Sequence, residues 1–244
     1  TSKKCADCYR VDTAENGRGI MSILEKEFQG VKFFFHETPD APILIDEIFL
    51  DNYRVFDSKM GFDKGDVILD LGANEGMFSI LIAKMFPYTR VIALEPVPRT
   101  YFALLRNKGL NGCTNLEAYN VGVGKPGQKT ETMIINKSGQ SGGSTSFCTF
   151  NPVAHEKIEV GLISLDEVFD LYGIERCKLL KIDIEGAEYD VLYPATVLPR
   201  VDFMVAEYHT NTRLDFQARR PEALAVWCAN HTKLLSAYGC KMAE

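Results

Sequence analysis

"VILDLGANEGMFSI", Val67 to Ile80, is the stretch whose reading decides the fold. An apolar run reaches the acid Asp70, a turn follows through Gly72, Ala73, Asn74 and Gly76, and an apolar helical run begins at Met77. A glycine-rich turn that closes a strand and opens a helix brings bare backbone up to a ligand, and it carries meaning in that context. Gly72 permits the sharp bend, Asn74 tolerates left-handed backbone angles, and Gly76 allows a helix or ligand to come close.

Outward from this turn the chain alternates short apolar strands with helical stretches. Val67–Leu71, Val91–Glu95, Leu116–Val121, Leu179–Ile184 and Val201–Glu207 are dense in consecutive Val, Ile and Leu, the pattern of strands buried on both faces. Gly76–Phe86, stopped by Pro87, and Arg99–Lys108, closed by Gly109, read as crossover helices. Ser164-Leu-Asp-Glu167 has the capping-box pattern at the head of another. The rhythm predicts an α/β fold with a doubly wound, mostly parallel sheet, whose ligand site lies at the carboxyl ends of the strands.

Two regions break the rhythm. Strand-like Thr130–Ile135 and Ile158–Ile163 flank "NKSGQSGGSTSF", an inserted Gly/Ser loop expected to serve as a lid. Residues 1–60, with "VKFFF" and a helical "PILIDEIFLDNY", are expected to cap the sheet, leaving 61–244 as the ligand-binding domain. After a helix expected over Pro221–Tyr238 only "GCKMAE" remains.

The 244 residues are 46% hydrophobic and 25% charged, ordinary for a globular protein, and the net charge of −6 argues against a nucleic-acid partner. No run is long enough to span a membrane, and the polar opening TSKKCADCYR has no apolar centre, so a cytoplasmic location is expected. Seven scattered cysteines suit reduced thiols, and the lone CxxC of Cys5 and Cys8 lacks a second pair for zinc.

Glu95 stands 19 positions beyond Gly76 at the end of the second strand, where a carboxylate accepts from a ribose diol. Acids in the turn, Asp70 and Glu75, repel a pyrophosphate and welcome a sulfonium with an α-amino group. S-adenosylmethionine therefore fits better than NAD, with Asp70 orienting its amino-acid end through the turn.

In "VILDLGANEGMFSI", "VIALEPVPRTYFALLRNKGLNG", "SLDEV", "LLKIDIEGAEYDVL" and "VAEYH", in that order, the chain resembles the FkbM-type family of class I methyltransferases. The resemblance covers roughly Asp63 to His209 and implies a Rossmann-like sheet, S-adenosylmethionine as cofactor and methyl transfer to hydroxyls of sugars and secondary metabolites. It also implies that Gly72, Ala73, Asn74 and Gly76 line the cofactor, that Glu95 with Pro96 holds the ribose, and that Asn120 and Val121 flank the adenine. Such folds usually finish with a strand hairpin. Here the final strand is expected to be truncated, missing or supplied otherwise.

Asp183 and Glu185 close the fourth strand, and Glu207 and His209 the fifth. A hydroxyl acceptor needs a base, and His209 is the group nearest neutral pKa, with Asp183 or Glu207 to orient it. Glu185 and Glu188 are expected to bind other hydroxyls of a small-molecule or glycan acceptor. The same acids and histidine are ligand types for a divalent metal, a reading placed second because their spacing is no dedicated signature. Lys181, inside an apolar strand, is expected to reach solvent or an acid.

Other activities compete less well. Gly139-Gln-Ser141-Gly-Gly143 matches GxSxG, with Asp183 and His209 following in hydrolase order, but no helix signal follows the serine. An NAD-dependent dehydrogenase lacks its glycine spacing, an RNA methyltransferase its basic surface, and a non-catalytic nucleoside-binding module would make no use of His209 and Asp183.

Overall fold

A computed structural model of the chain describes residues 9–13, 21–50, 55–56, 60–140, 150–210 and 220–241. Strands β1 (Tyr9–Thr13), β2 (Met21–Phe28) and β3 (Val31–His36) form an antiparallel sheet in that order, followed by helix α1 (Ala41–Leu50). The main body then runs β4 (Val67–Leu71), α2 (Met77–Met85), β5 (Arg90–Leu94), α3 (Pro98–Asn111) and β6 (Leu116–Tyr119). An inserted unit of β7 (Gly122–Gly124), β8 (Thr130–Asn136) and β9 (His155–Ser164) follows. The chain returns through α4 (Leu165–Leu171), β10 (Cys177–Ile182), α5 (Glu188–Leu192), β11 (Val201–Thr210), α6 (Pro221–Ala229) and β12 (Lys233–Lys241).

The central sheet has six strands in the order β12-β11-β10-β4-β5-β6, every pair parallel. The chain winds outward from β4 to β6, returns to β10 beside β4, and winds the other way. The switch point thus falls between β4 and β10, where such sheets open a crevice at their carboxyl ends. The doubly wound expectation holds.

Strand alternation divides the core into two layers. Ile68, Val91, Ala93 and Leu179 face one side with α2 and α3, while Leu69, Leu71, Ile92, Leu94, Leu180 and Ile182 face the other with Phe169 and Tyr208. Phe33, Phe35, Ile45 and Phe49 of the cap belong to the first layer, packed among Ile68, Ile80 and Leu81. Each large side chain so buried contributes about 1.5–3 kcal/mol, so the cap is stitched to the sheet by a shared core. Polar contacts reinforce it: Asn111 of α3 accepts from Phe34 N–H (3.0 Å) and donates to its carbonyl (2.6 Å), while Asn107 accepts from His36 N–H (2.9 Å). Thr38 reaches the glycine turn by donating to Glu75 (2.9 Å). The capping box at α4 is present as read, with Glu167 N–H donating to Ser164 Oγ (3.2 Å) and Ser164 N–H to Glu167 Oε2 (2.8 Å).

The end of the chain corrects the sequence reading. The last helix stops at Ala229 with its cap at Asn230, and Lys233–Lys241 is a strand paired parallel to β11. Lys233–Lys241 takes the place of a helix read through to Tyr238, because Asn230-His-Thr232 breaks the apolar pattern; no antiparallel strand pairs with it among the described residues. Ser141, Cys5, Cys8 and Cys148 lie outside the described residues, whereas Cys113, Cys177 and Cys228 are free, buried thiols.

Candidate active site

The turn after β4 has the geometry its residues require. Gly72 (φ 78°) lies so near β10 that an added Cβ would run into the carbonyl of Asp183, and Asn74 (φ 51°) takes the left-handed position. Glu95, just past β5, crosses to this turn: its carboxylate accepts from Asn74 N–H at 3.0 Å and from Val97 N–H at 2.9 Å. Burial pushes the Glu95 carboxyl up to about 7, against the pull of those two amides and Lys181. Asn74 Oδ1 is buried without a hydrogen-bond partner among the described residues.

Beneath the turn lies a charged pair that alternation aims inward. Asp70 and Lys181 are register partners on β4 and β10, 0% and 3% exposed, with Lys181 Nζ 3.3 Å from Asp70 and 3.5 Å from Asp183. The ammonium also donates to Gly72 O at 2.8 Å, and Ser79 Oγ donates to Asp70 at 2.6 Å. Burial alone would lower the Lys181 pKa, but Asp70 and Asp183 outweigh it and hold the ammonium above its ordinary range. Lys181 therefore does reach an acid. Asp70, expected to orient the cofactor through the turn, holds that turn from below by way of Lys181.

The crevice is lined at the strand ends by Gly72, Asn74, Glu95, Pro96, Asp183 and Glu185. Its opposite wall is Gly122, Val123 and Gly124 of β7, Glu131 and Met133 of β8 and Leu162 of β9. Glu95, Glu131, Asp183, Glu185 and Asp190 all line it, and no Lys, Arg or His is among the described lining residues. Such a cleft favours a cationic or neutral ligand over a pyrophosphate. Ala73 and Gly76 stand behind the turn: Ala73 N–H donates to Leu94 O (3.0 Å), and a Cβ on Gly76 would press on Leu104. Asn120 and Val121 are likewise off the lining; Asn120 ties the Glu95 and Pro96 carbonyls (2.9 and 3.0 Å), and the wall is built two residues onward. Sequence reading missed the β8–β9 contribution, whose only signal was two strand-like segments flanking the Gly/Ser loop.

At the adjoining end of β10 and β11, one histidine stands among four carboxylates. His209 is 3% exposed; its Nδ1 lies 2.8 Å from Glu188 Oε1, and its Nε2 lies 3.4 Å from Glu185, 3.7 Å from Glu207 and 3.8 Å from Asp183. Glu188, fully buried, also accepts from the N–H groups of Ile184 (3.2 Å) and Gly186 (3.1 Å). It positions the imidazole and does not reach an acceptor, contrary to expectation, because α5 turns it into the core. Glu185 has φ 55°, a left-handed angle uncommon for such a residue, and Gly186 follows at φ 106°. Burial alone would lower the His209 pKa, yet the Glu188 bond and the charges of Glu185 and Asp183 push it up to about 10. The surrounding carboxylates thus favour positive charge at the place of His209, against the neutral-range base read from the sequence. Burial and Asp183 push Glu207 up to about 7.

A doubly wound sheet with an acid-lined crevice at its switch point has the architecture of an α/β protein that takes a ligand at its strand ends. The family model described as a methyltransferase FkbM domain matches residues 70–233, and the chain belongs to that family of methyltransferases. It is 28% identical over 70% of its length to "Methyltransferase 1" of Beauveria bassiana, covering 76% of that protein. It is 29% identical over 70% of its length to "31-O-demethyl-FK506 methyltransferase FkbM" of Streptomyces tacrolimicus, covering 75% of it. Among solved structures, M. jannaschii TYW2 in complex with AdoMet matches 47% of this chain and 50% of its own, at 20% identity and a TM-score of 0.29.

Proposed function

We propose that this methyltransferase uses S-adenosylmethionine and methylates a hydroxyl of a sugar, glycolipid or polyketide-like metabolite. The observation that carries the cofactor is the pairing of buried, unpartnered Asn74 Oδ1 with Glu95 in a crevice lined by acids. Asn74 Oδ1 suits an ammonium, the Glu95 carboxylate suits a ribose diol, and Leu94, Val97, Val123 and Leu162 supply apolar walls for a base. The bound cofactor supplies an electrophilic methyl group on a sulfonium.

The chain has to hold the acceptor oxygen in line, exclude water and take the hydroxyl proton. Glu207, partly exposed beside Asp183 and Glu185, receives that proton in this reading, while Glu185 faces the acceptor. The relative named for 31-O-demethyl-FK506 supports a hydroxyl acceptor.

Calorimetric titration with S-adenosylhomocysteine and, separately, NAD tests the cofactor. Saturable binding of the first alone, lost in Glu95→Ala, is the expected result; binding of NAD alone or of neither would remove the proposal. A screen of hydroxylated acceptors then follows by methyl-group incorporation.

A further inference from the structure

The cluster around His209 has an arrangement that acid-lining of the cleft does not require. Glu188 occupies Nδ1 through a carboxylate that two backbone amides also hold, so the imidazole presents Nε2 and nothing else to the crevice side. That atom has no hydrogen bond among the described residues and faces Asp183, Glu185 and Glu207 at 3.4–3.8 Å. Single atoms of Asp183, Glu185 and His209 lie within 4.8 Å of one another. Ligands about 2.1 Å from a shared ion stand about 3 Å apart at right angles and about 3.4 Å apart at the tetrahedral angle. His209 stands 3.4 Å from Glu185 and 3.8 Å from Asp183, so the set draws in by up to about 1.8 Å on closing around a six-coordinate ion.

We infer that Asp183, Glu185 and His209 hold a divalent cation of the magnesium or manganese class at the acceptor end of the crevice, with Glu188 orienting the histidine. The inference rests on the methyltransferase reading of the same site and adds to it an ion. Two carboxylates and one imidazole suit a hard cation better than a thiophilic one, and a carboxylate behind the histidine is the usual support of a metal-bound imidazole. Asp183 and Glu185 are open to the crevice, with side chains 24% and 27% exposed, so the ion has a route in. Three protein ligands leave positions on a six-coordinate ion for two adjacent oxygens. The acceptor is therefore of the chelating type, a vicinal diol or a hydroxyl beside a carbonyl, and the ion's charge makes its hydroxyl a better proton donor.

The test is a titration of the purified chain with Mn2+ alone, followed by water-proton relaxation, with an S-adenosylhomocysteine titration in EDTA run on the same preparations. One saturable Mn2+ site per chain is expected, competed by Mg2+, weakened at least about tenfold in Asp183→Asn and in Glu185→Ala, and kept in Glu131→Gln, an acid of the same crevice outside the cluster. Circular dichroism checks that each variant is folded; Glu185, the more open of the two, gives a reading even where Asp183→Asn does not fold. Absence of saturation, or equal affinity in the folded cluster variants, overturns the metal. S-adenosylhomocysteine binding without Mn2+ binding removes the ion and leaves the methyltransferase reading, whereas the reverse leaves the ion and removes the cofactor.

Discussion

The two halves of the crevice are built by opposite means. On the β4–β5 side, backbone does the shaping: a glycine pressed against a neighbouring strand, a left-handed asparagine and a carboxylate held by two amides. On the β10–β11 side, side chains do it, with one imidazole among four carboxylates, one of them on a strained glutamate. The first half tolerates almost no change of shape, and the second almost no change of charge. A region set by shape thus adjoins one set by charge.

The sharpest way to break this contrast is at Gly72. Gly72→Ala is expected to cost about 3 kcal/mol or more, from the collision with Asp183 and the positive φ, as read by urea denaturation. Gly112→Ala, also at positive φ but facing open space, is expected to cost only about 1 kcal/mol. Equal losses would mean that close approach to β10 is unimportant.

Lys181→Met comes next, because it leaves Asp70 buried beside its register partner without a cation. A loss of about 3 kcal/mol is expected, with most of it recovered in the Lys181→Met, Asp70→Leu double variant. No recovery would assign the effect to packing.

Glu95→Gln is expected to weaken S-adenosylhomocysteine about tenfold by removing a charged acceptor. A carboxyl whose pKa rises from 4.5 to about 7 on folding holds its proton more tightly in the folded chain. Its stabilising contribution is therefore full below pH 4.5 and lost as pH rises through about 7, whereas diol binding needs the ionised form. Affinity should climb between pH 6 and 8 in the parent and stay flat in Glu95→Gln; a slope shared by both would place the titration elsewhere.

The smallest effect belongs to Glu185→Gly. Relief of the left-handed angle is expected to stabilise the fold by about 0.5–1 kcal/mol while turnover falls, the pattern of a residue kept under strain for function. Destabilisation in a thermal melt would show that Glu185 is structural.

The same contrast decides what could be read in advance. The turn from Asp70 to Gly76 and its partner Glu95 were legible because strand, turn and helix are contiguous and the acid falls at a fixed remove. Glu188 and His209 are 21 residues apart and meet only in the folded chain, so spacing did not show their contact. The partner of Asp70 was hidden for a similar reason, since it is a lysine 111 positions away on the neighbouring strand. Strand β12 was hidden by Leu234, Leu235 and Ala237, which satisfy a helical period as readily as a strand.

The asparagines of α3 have a consequence for life in a crowded solution. A bare strand edge invites pairing by any passing chain, and β3 is an outer strand of its sheet. Asn107 and Asn111 fill its donor and acceptor slots with side-chain amides, so a foreign strand arriving there finds the docking ladder taken. Two residues of a helix thereby act as a guard against aggregation.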